Sequence, residues 1–263
     1  LAPSFCPQLS APHPLPPPAR RYRRRMHTDR IDSISSYCDR CCERCAFTDR
    51  CAVYACQVAI AMCGDPAAGL ELALGDPQPV SGTTPVSPWA AALDAIQLSP
   101  KEERDFARSE RRRRKRLKEL PLSRLAYEFT LAALVWLRDR REALAASADP
   151  ILKEAIEVAA HDAMLIGATL HRAVDGRDRW RTDDEDIGVP AVQSDWNGSA
   201  KVALLSIERS HLAWQTIAGA THDRDASTFA ERLEALRRLV RDEFPRAMEF
   251  VRPGFDEPQQ AKQ

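Results

Sequence analysis

The stretch "PLSRLAYEFTLAALVWL", residues 121–137, decides the fold. At 3.6 residues per turn, Leu122, Leu125, Phe129, Ala132, Ala133 and Trp136 fall on one face, the signature of an amphipathic helix. Alternation with period two, which a half-buried strand needs, is absent. The pattern predicts a helix over about 121–146, and three more follow. One opens with Asp149 as N-cap and Pro150 at the first helical position and runs to about Val174. The next spans about Asn197 to Ile217. The last has Thr228 and Glu231 as a capping box and is kinked or shortened by Pro245. The expected fold is all-α: an up-down bundle of about four long helices, preceded by a cysteine-rich helical segment.

Upstream, Ser99, Pro100 and Glu102 combine a capping box with proline at the first helical position, which predicts a long polar helix to about Leu120. Within it "RSERRRRKRLKEL" (108–120) carries eight basic residues. Acids open the helix and bases close it, as the helix dipole favours, so the run reads first as a solvated face. It also offers nucleic acid, or another polyanion, a surface through Arg111, Arg112, Arg113 and Arg114, although no aromatic interleaves for base stacking. Residues 64–98 hold five prolines and read as a linker with one short helix at "PWAAALDAI".

The chain has 263 residues, 44% of them hydrophobic, with 38 basic and 38 acidic side chains. That is a globular composition with no bulk charge to draw it to nucleic acid or membrane. The longest apolar run, "LAALVWL", is far below the ~18 residues of a membrane span. Residues 1–25 hold seven prolines, five arginines and no acid. They lack the apolar core of a signal peptide. The expectation is that translation begins at Met26, with a basic arm that touches a partner as the alternative. Residues 253–263 read as a disordered tail.

The chemistry concentrates in "YCDRCCERCAFTDRC", residues 37–51. Cys38, Cys41, Cys42 and Cys45 are spaced i, i+3, i+4 and i+7, so one reading is an amphipathic helix whose buried stripe is cysteine. The other reading is metal ligation, because x2 and x3 separations bring thiolates within reach of one ion. A straight helix would spread these sulfurs over ~10 Å, so the segment must bend. Cys38, Cys45 and Cys51 are the outer ligands, completed by Cys41 or Cys42. Zinc and an iron–sulfur cluster both accept four thiolates. Arg40, Arg44 and Arg50 would offset their negative charge. Cys56 and Cys63, on the apolar run "CAVYACQVAIAMC", read as core, and Cys6 lies in the leader.

Together with "QSDWNGSAKVAL" (193–204), this cluster resembles an uncharacterised family of bacterial proteins that opens with CDRxCERC and carries an NGSAK segment at a later helix start. The resemblance covers two short blocks and the helical region around them, and implies no reaction. It places the family cysteines on Cys38, Cys42 and Cys45, with Cys41 at a position that is usually a bulky aromatic. The implied ligand set is therefore Cys38, Cys42, Cys45 and Cys51. The resulting C-x3-C-x2-C spacing also occurs in radical SAM enzymes, but those need a strand-rich barrel and no strands are apparent.

A di-iron centre in such a bundle needs a Glu on each of two helices and a Glu-x-x-His on each of the other two. Glu208 and His211 make one Glu-x-x-His. Glu157 and His161 are spaced four apart, and Glu128 and Glu243 lie on the remaining helices. His211 projects into an apolar stripe and reads as a core histidine. Asn197, Ser199 and Lys201 bring polar groups to a helix start that Ser194 or Asp195 caps, an arrangement able to hold an anion. The leading expectation is a cytoplasmic metal-binding protein, structural if the metal is zinc and redox or sensing if it is iron–sulfur. The rivals are a bundle metalloenzyme using Glu208, His211 and Glu157, and a nucleic-acid-binding regulator using 108–118.

Overall fold

Among the residues that the computed structural model describes, 30–74, 99–182 and 190–256, all regular structure is helical. The leader with Cys6 and Met26, the helix expected near 88–96 and the tail beyond 256 lie outside the described residues. The chain divides into two compact units. One takes 30–35 and 40–74, the other 36–39, 99–182 and 190–256.

In the first unit α1 (Ala52–Cys63) and α2 (Pro66–Leu74) pack side by side. Gly64, at φ 67°, ends α1 by donating its N–H to Ile60, a left-handed position that glycine occupies without steric cost. Gly69 of α2 lies against Ile60 so closely that a Cβ would sit 2.5 Å from its Cα. Among the described residues the core cluster here is small: Ala55, Ala59 and Ala73. Helix α2 falls inside the stretch read as a linker. Its proline stands in the first turn, where a missing N–H is harmless, and Asp65 caps the N–H of Ala68 at 2.7 Å. Pro66 starts a helix within the proline-containing stretch.

The second unit holds α3 (Pro100–Glu119), α4 (Pro121–Asp139), α5 (Arg141–Ala145), α6 (Pro150–Thr182), α7 (Asp195–Thr221) and α8 (Arg224–Glu243). Ser99 and Glu102 close the expected capping box, at 3.3 and 2.7 Å. Asp149 caps α6 through the N–H of Ile151 at 2.9 Å. The helix expected over 121–146 breaks at Arg140, whose guanidinium reaches across to Asp223 at 2.7 Å. Asp223 also corrects the start of α8. It accepts from the N–H groups of Asp225 and Ala226, so the helix begins a turn before Thr228. Aspartate is as strong an N-cap as threonine, and this one gains Trp136 Nε1 and Arg140 as well. Helix α8 ends at Glu243, ahead of Pro245.

Helix α7 packs against α6 and α8, and α4 packs against α6 and α8. At the centre Trp214 is fully buried, with its ring 5.2 Å from Trp136 and 4.5 Å from Phe229. Thr130 donates its hydroxyl to Ala163 O, and a Cβ on Gly167 would meet Thr130 Oγ1 at 2.9 Å. Small residues thus let α4 and α6 approach closely. Among the described residues no single helix is long and apolar enough to cross a membrane.

Candidate metal centre

The cysteine segment is not an α-helix. Arg40 takes the left-handed region at φ 58°, which breaks helical progression before Cys41. Two short 3-10 turns follow, Cys42–Arg44 and Thr48–Arg50. Cys41 precedes the first turn, Cys45 ends it, and Cys51 is the N-cap residue of α1. None of the five is buried; all are half-buried. The cysteine stripe of a packed helix is therefore not formed. Cys63, read as core, is exposed at the end of α1, and Cys56 is half-buried against the small alanine core.

One backbone donor points at sulfur. Phe47 N–H lies 3.5 Å from Cys45 Sγ, two residues back. The donor set suits zinc or iron, which take thiolates. Among the described residues, however, no three His, Cys, Asp or Glu side chains gather within reach of one ion.

Residues 36–39, which include Cys38, belong to the second unit and are strapped to its helices. The Tyr37 ring packs on Phe250, centroids 4.7 Å apart, and over Gly198, where a Cβ would stand 2.4 Å from the ring. Only glycine admits this approach. Tyr37 donates to Asp195 at 3.0 Å. Burial, and after it the Asp195 charge, pushes its hydroxyl up to about 12, so it remains a donor. Arg172 pairs with Asp195 and donates to Ser36 O. Asp39 accepts from Arg209 at 2.6 Å, and its carbonyl accepts from His161 Nε2 at 2.6 Å. Arg209 also grips Asp162, at 2.5 and 2.9 Å. The two blocks behind the family resemblance are thus in contact, through Tyr37 and Gly198.

Asp162 is 0% exposed. Burial raises its pKa above the ordinary value, against the lowering by Arg209. The sequence reading missed Asp162, Arg209 and Asp39, yet one signal was available. Asp162 shares a helix face with Ala155, Ala159 and Ile166, all buried. A carboxylate in the middle of an apolar stripe calls for a buried partner.

Asn197 and Lys201 of "NGSAK" serve the fold, while Ser199 is buried with its Oγ unpartnered among the described residues. Asn197 donates to Ala191 O at 2.8 Å. Lys201, nearly buried, donates to Phe250 O at 2.6 Å and Met248 O at 3.2 Å, and pairs with Asp256 at 2.7 Å. Ser194 is the N-cap residue but makes no side-chain cap bond. This start holds the chain's own segment 247–256. Part of the stretch read as tail is therefore tied down through Asp256. Burial tends to raise the Asp256 pKa, but its bonds from Arg252 and Lys201 prevail and hold it well below the ordinary 3.8. A lowered folded-state value contributes stability above 3.8 that is lost as pH falls. Thermal melts between pH 3 and 7 should show a shallower acid loss for Asp256→Asn than for the parent.

The residues of the bundle metalloenzyme do not converge. Glu157 and Glu208 are exposed on α6 and α7. Glu128 faces Arg124 and Glu243 pairs with Arg177. His211, expected in the core, is half-exposed and lines an open groove of about 540 Å³ with Gln215, Glu231 and Glu234. The buried arc of α7 has turned by that point to Ser210, Ala213, Trp214 and Ile217. The four arginines of the basic run are split: Arg111, Arg112 and Arg114 are exposed, while Arg113 turns inward to Glu110, Asp175 and Asp178.

Fold and cysteine turns together define an all-α protein with a cysteine-rich N-terminal unit. Compared with protein-family models, curated proteins and solved structures, the chain matches none.

Proposed function

We propose that the chain is a metal-binding protein whose cysteine turns hold zinc or an iron–sulfur cluster, with Cys38, Cys42, Cys45 and Cys51 as ligands and Cys41 spare. One observation carries this reading: Cys41, Cys42, Cys45 and Cys51 lie in or beside two short 3-10 turns, half-buried and off any helical face, with Cys38 half-buried just upstream. A packing role would have put them on a buried helical face. The N–H directed at Cys45 Sγ is a second support. When bound, the ion supplies cross-linking of the turns or, as a cluster, one-electron chemistry. The residues themselves supply thiolates, and Arg40, Arg44 and Arg50 bring positive charge nearby.

Because the sulfurs do not converge, binding must draw them together, so that metal affinity is linked to folding of the N-terminal unit. Among the described residues its core cluster is Ala55, Ala59 and Ala73, with Cys56 and Leu72 packed against it, a small apolar area that a bound ion would supplement. A reducing compartment such as the cytoplasm keeps such thiols available for metal. The test is elemental analysis with a visible spectrum on anaerobically purified protein. We expect roughly one zinc per chain with no visible absorption, or iron and sulfide with a charge-transfer band. Protein that contains neither, and takes up neither on reconstitution, contradicts the reading.

A further inference from the structure

We propose that α3 presents a nucleic-acid-binding face, formed by Arg104, Arg108, Arg111, Lys115 and Lys118, that engages the phosphodiester backbone. The inference is independent of the metal reading. These five cations are spaced 4, 3, 4 and 3 residues apart. At about 100° per residue they lie within roughly 40° of one line along the helix, over about 21 Å. All five are exposed. Arg104, Arg108, Arg111 and Lys118 make no ion pair among the described residues, and Lys115 has only a 3.9 Å contact with exposed Glu119.

The opposite face is treated differently. There Arg113 meets Glu110, Asp175 and Asp178, Arg116 meets Asp178, and Leu117 is the one buried residue of α3. The fold neutralises its inward cations and leaves the outward row uncompensated. Like charges three and four residues apart oppose helix formation, so the row weakens α3 unless an external anion meets it.

The geometry selects the partner. Cations at steps of about 5 Å along a straight line match a polymer of regularly repeated single anions. A folded acidic protein does not offer that regularity. A lipid surface would need an apolar face to insert beside the cations, and the face of α3 opposite the row is occupied by Arg113 and its carboxylates. Phe106, the exposed aromatic, projects away from the row. Contacts are therefore to phosphate and not to bases, and binding is independent of sequence.

The test is titration of the full chain with fluorescent 30-nucleotide duplex DNA and duplex RNA over a series of KCl concentrations. Five phosphate contacts predict a slope of log K against log salt of about −4.5 on DNA. Replacing all five cations with glutamine, a good helix former, should weaken binding by roughly a hundredfold at low salt and flatten the slope, with helicity unchanged by circular dichroism. The DNA and RNA arms report which duplex is preferred, and binding to either supports the face. No salt-dependent binding by the parent chain overturns the proposal. So does unchanged binding by the glutamine variant, or association with phosphatidylserine vesicles in place of both duplexes.

Discussion

Arg209→Met should lower the unfolding free energy of the chain by about 3 kcal/mol at pH 7, the low end for breaking a buried ion pair. Arg209 is the hydrogen-bonded cation of Asp162, which has no exposed surface, and it also holds Asp39. Without it, a carboxylate stays in the core with no compensating charge. The low end applies because the Arg209 side chain is 36% exposed, so solvent already screens part of its pairing. The loss should shrink in acid. The Asp162 pKa is already raised by burial, and Arg209 is the first of the influences that hold it down. Raising a carboxyl above its ordinary value makes stability fall as pH climbs from 3.8 towards the raised value. The variant should therefore recover part of its deficit between pH 7 and pH 5. Urea titrations at both pH values measure this, and Arg209→Met combined with Asp162→Leu should restore most of the loss.

Trp214→Ala should cost about 3–5 kcal/mol, the range for removing a large buried aromatic side chain. Trp214 is 0% exposed and its ring meets both Trp136 and Phe229, so one truncation empties the junction of α4, α7 and α8. Among the described residues its Nε1 has no hydrogen-bond partner, so the indole is there for its volume and ring contacts. Trp214→Phe should accordingly lose well under half as much. Guanidinium melts of the two variants, with slopes compared, separate lost packing from a changed unfolded state.

Which features were legible in the sequence follows from how far each interaction reaches. The helices were visible because periodicity and caps are local: Ser99 with Glu102, Asp149 with Pro150, and the stop before Pro245 are each written within a few residues. Errors arose where two local signals competed. Thr228 with Glu231 had the form of a capping box, but Asp223 won because Arg140 and Trp136, over eighty residues away, converge on it. Pro66 stood in a proline-rich stretch and starts a helix.

The site was legible in composition and illegible in geometry. Five cysteines were plain to see, but the helical spacing of Cys38 to Cys45 suggested a face that Arg40, at positive φ, does not permit. Lys201 and Asn197 looked like anion ligands because a sequence cannot tell that segment 247–256 returns to occupy Lys201, or that Asn197 reaches back to Ala191 O. His211 was placed in the core by a helical wheel that assumes one buried arc along all of α7. The strap on Tyr37 and Asp39 joins residues more than a hundred positions apart, and only Asp162, a carboxylate on an apolar face, hinted at it.

Metal content and melting temperature, measured together on Cys42→Ser, Cys45→Ser double-substituted protein beside the parent, test the account's main claim. The substituted protein should lose its metal, and heat or protease should open its N-terminal unit first. Equal metal content and an unchanged melting temperature would contradict it.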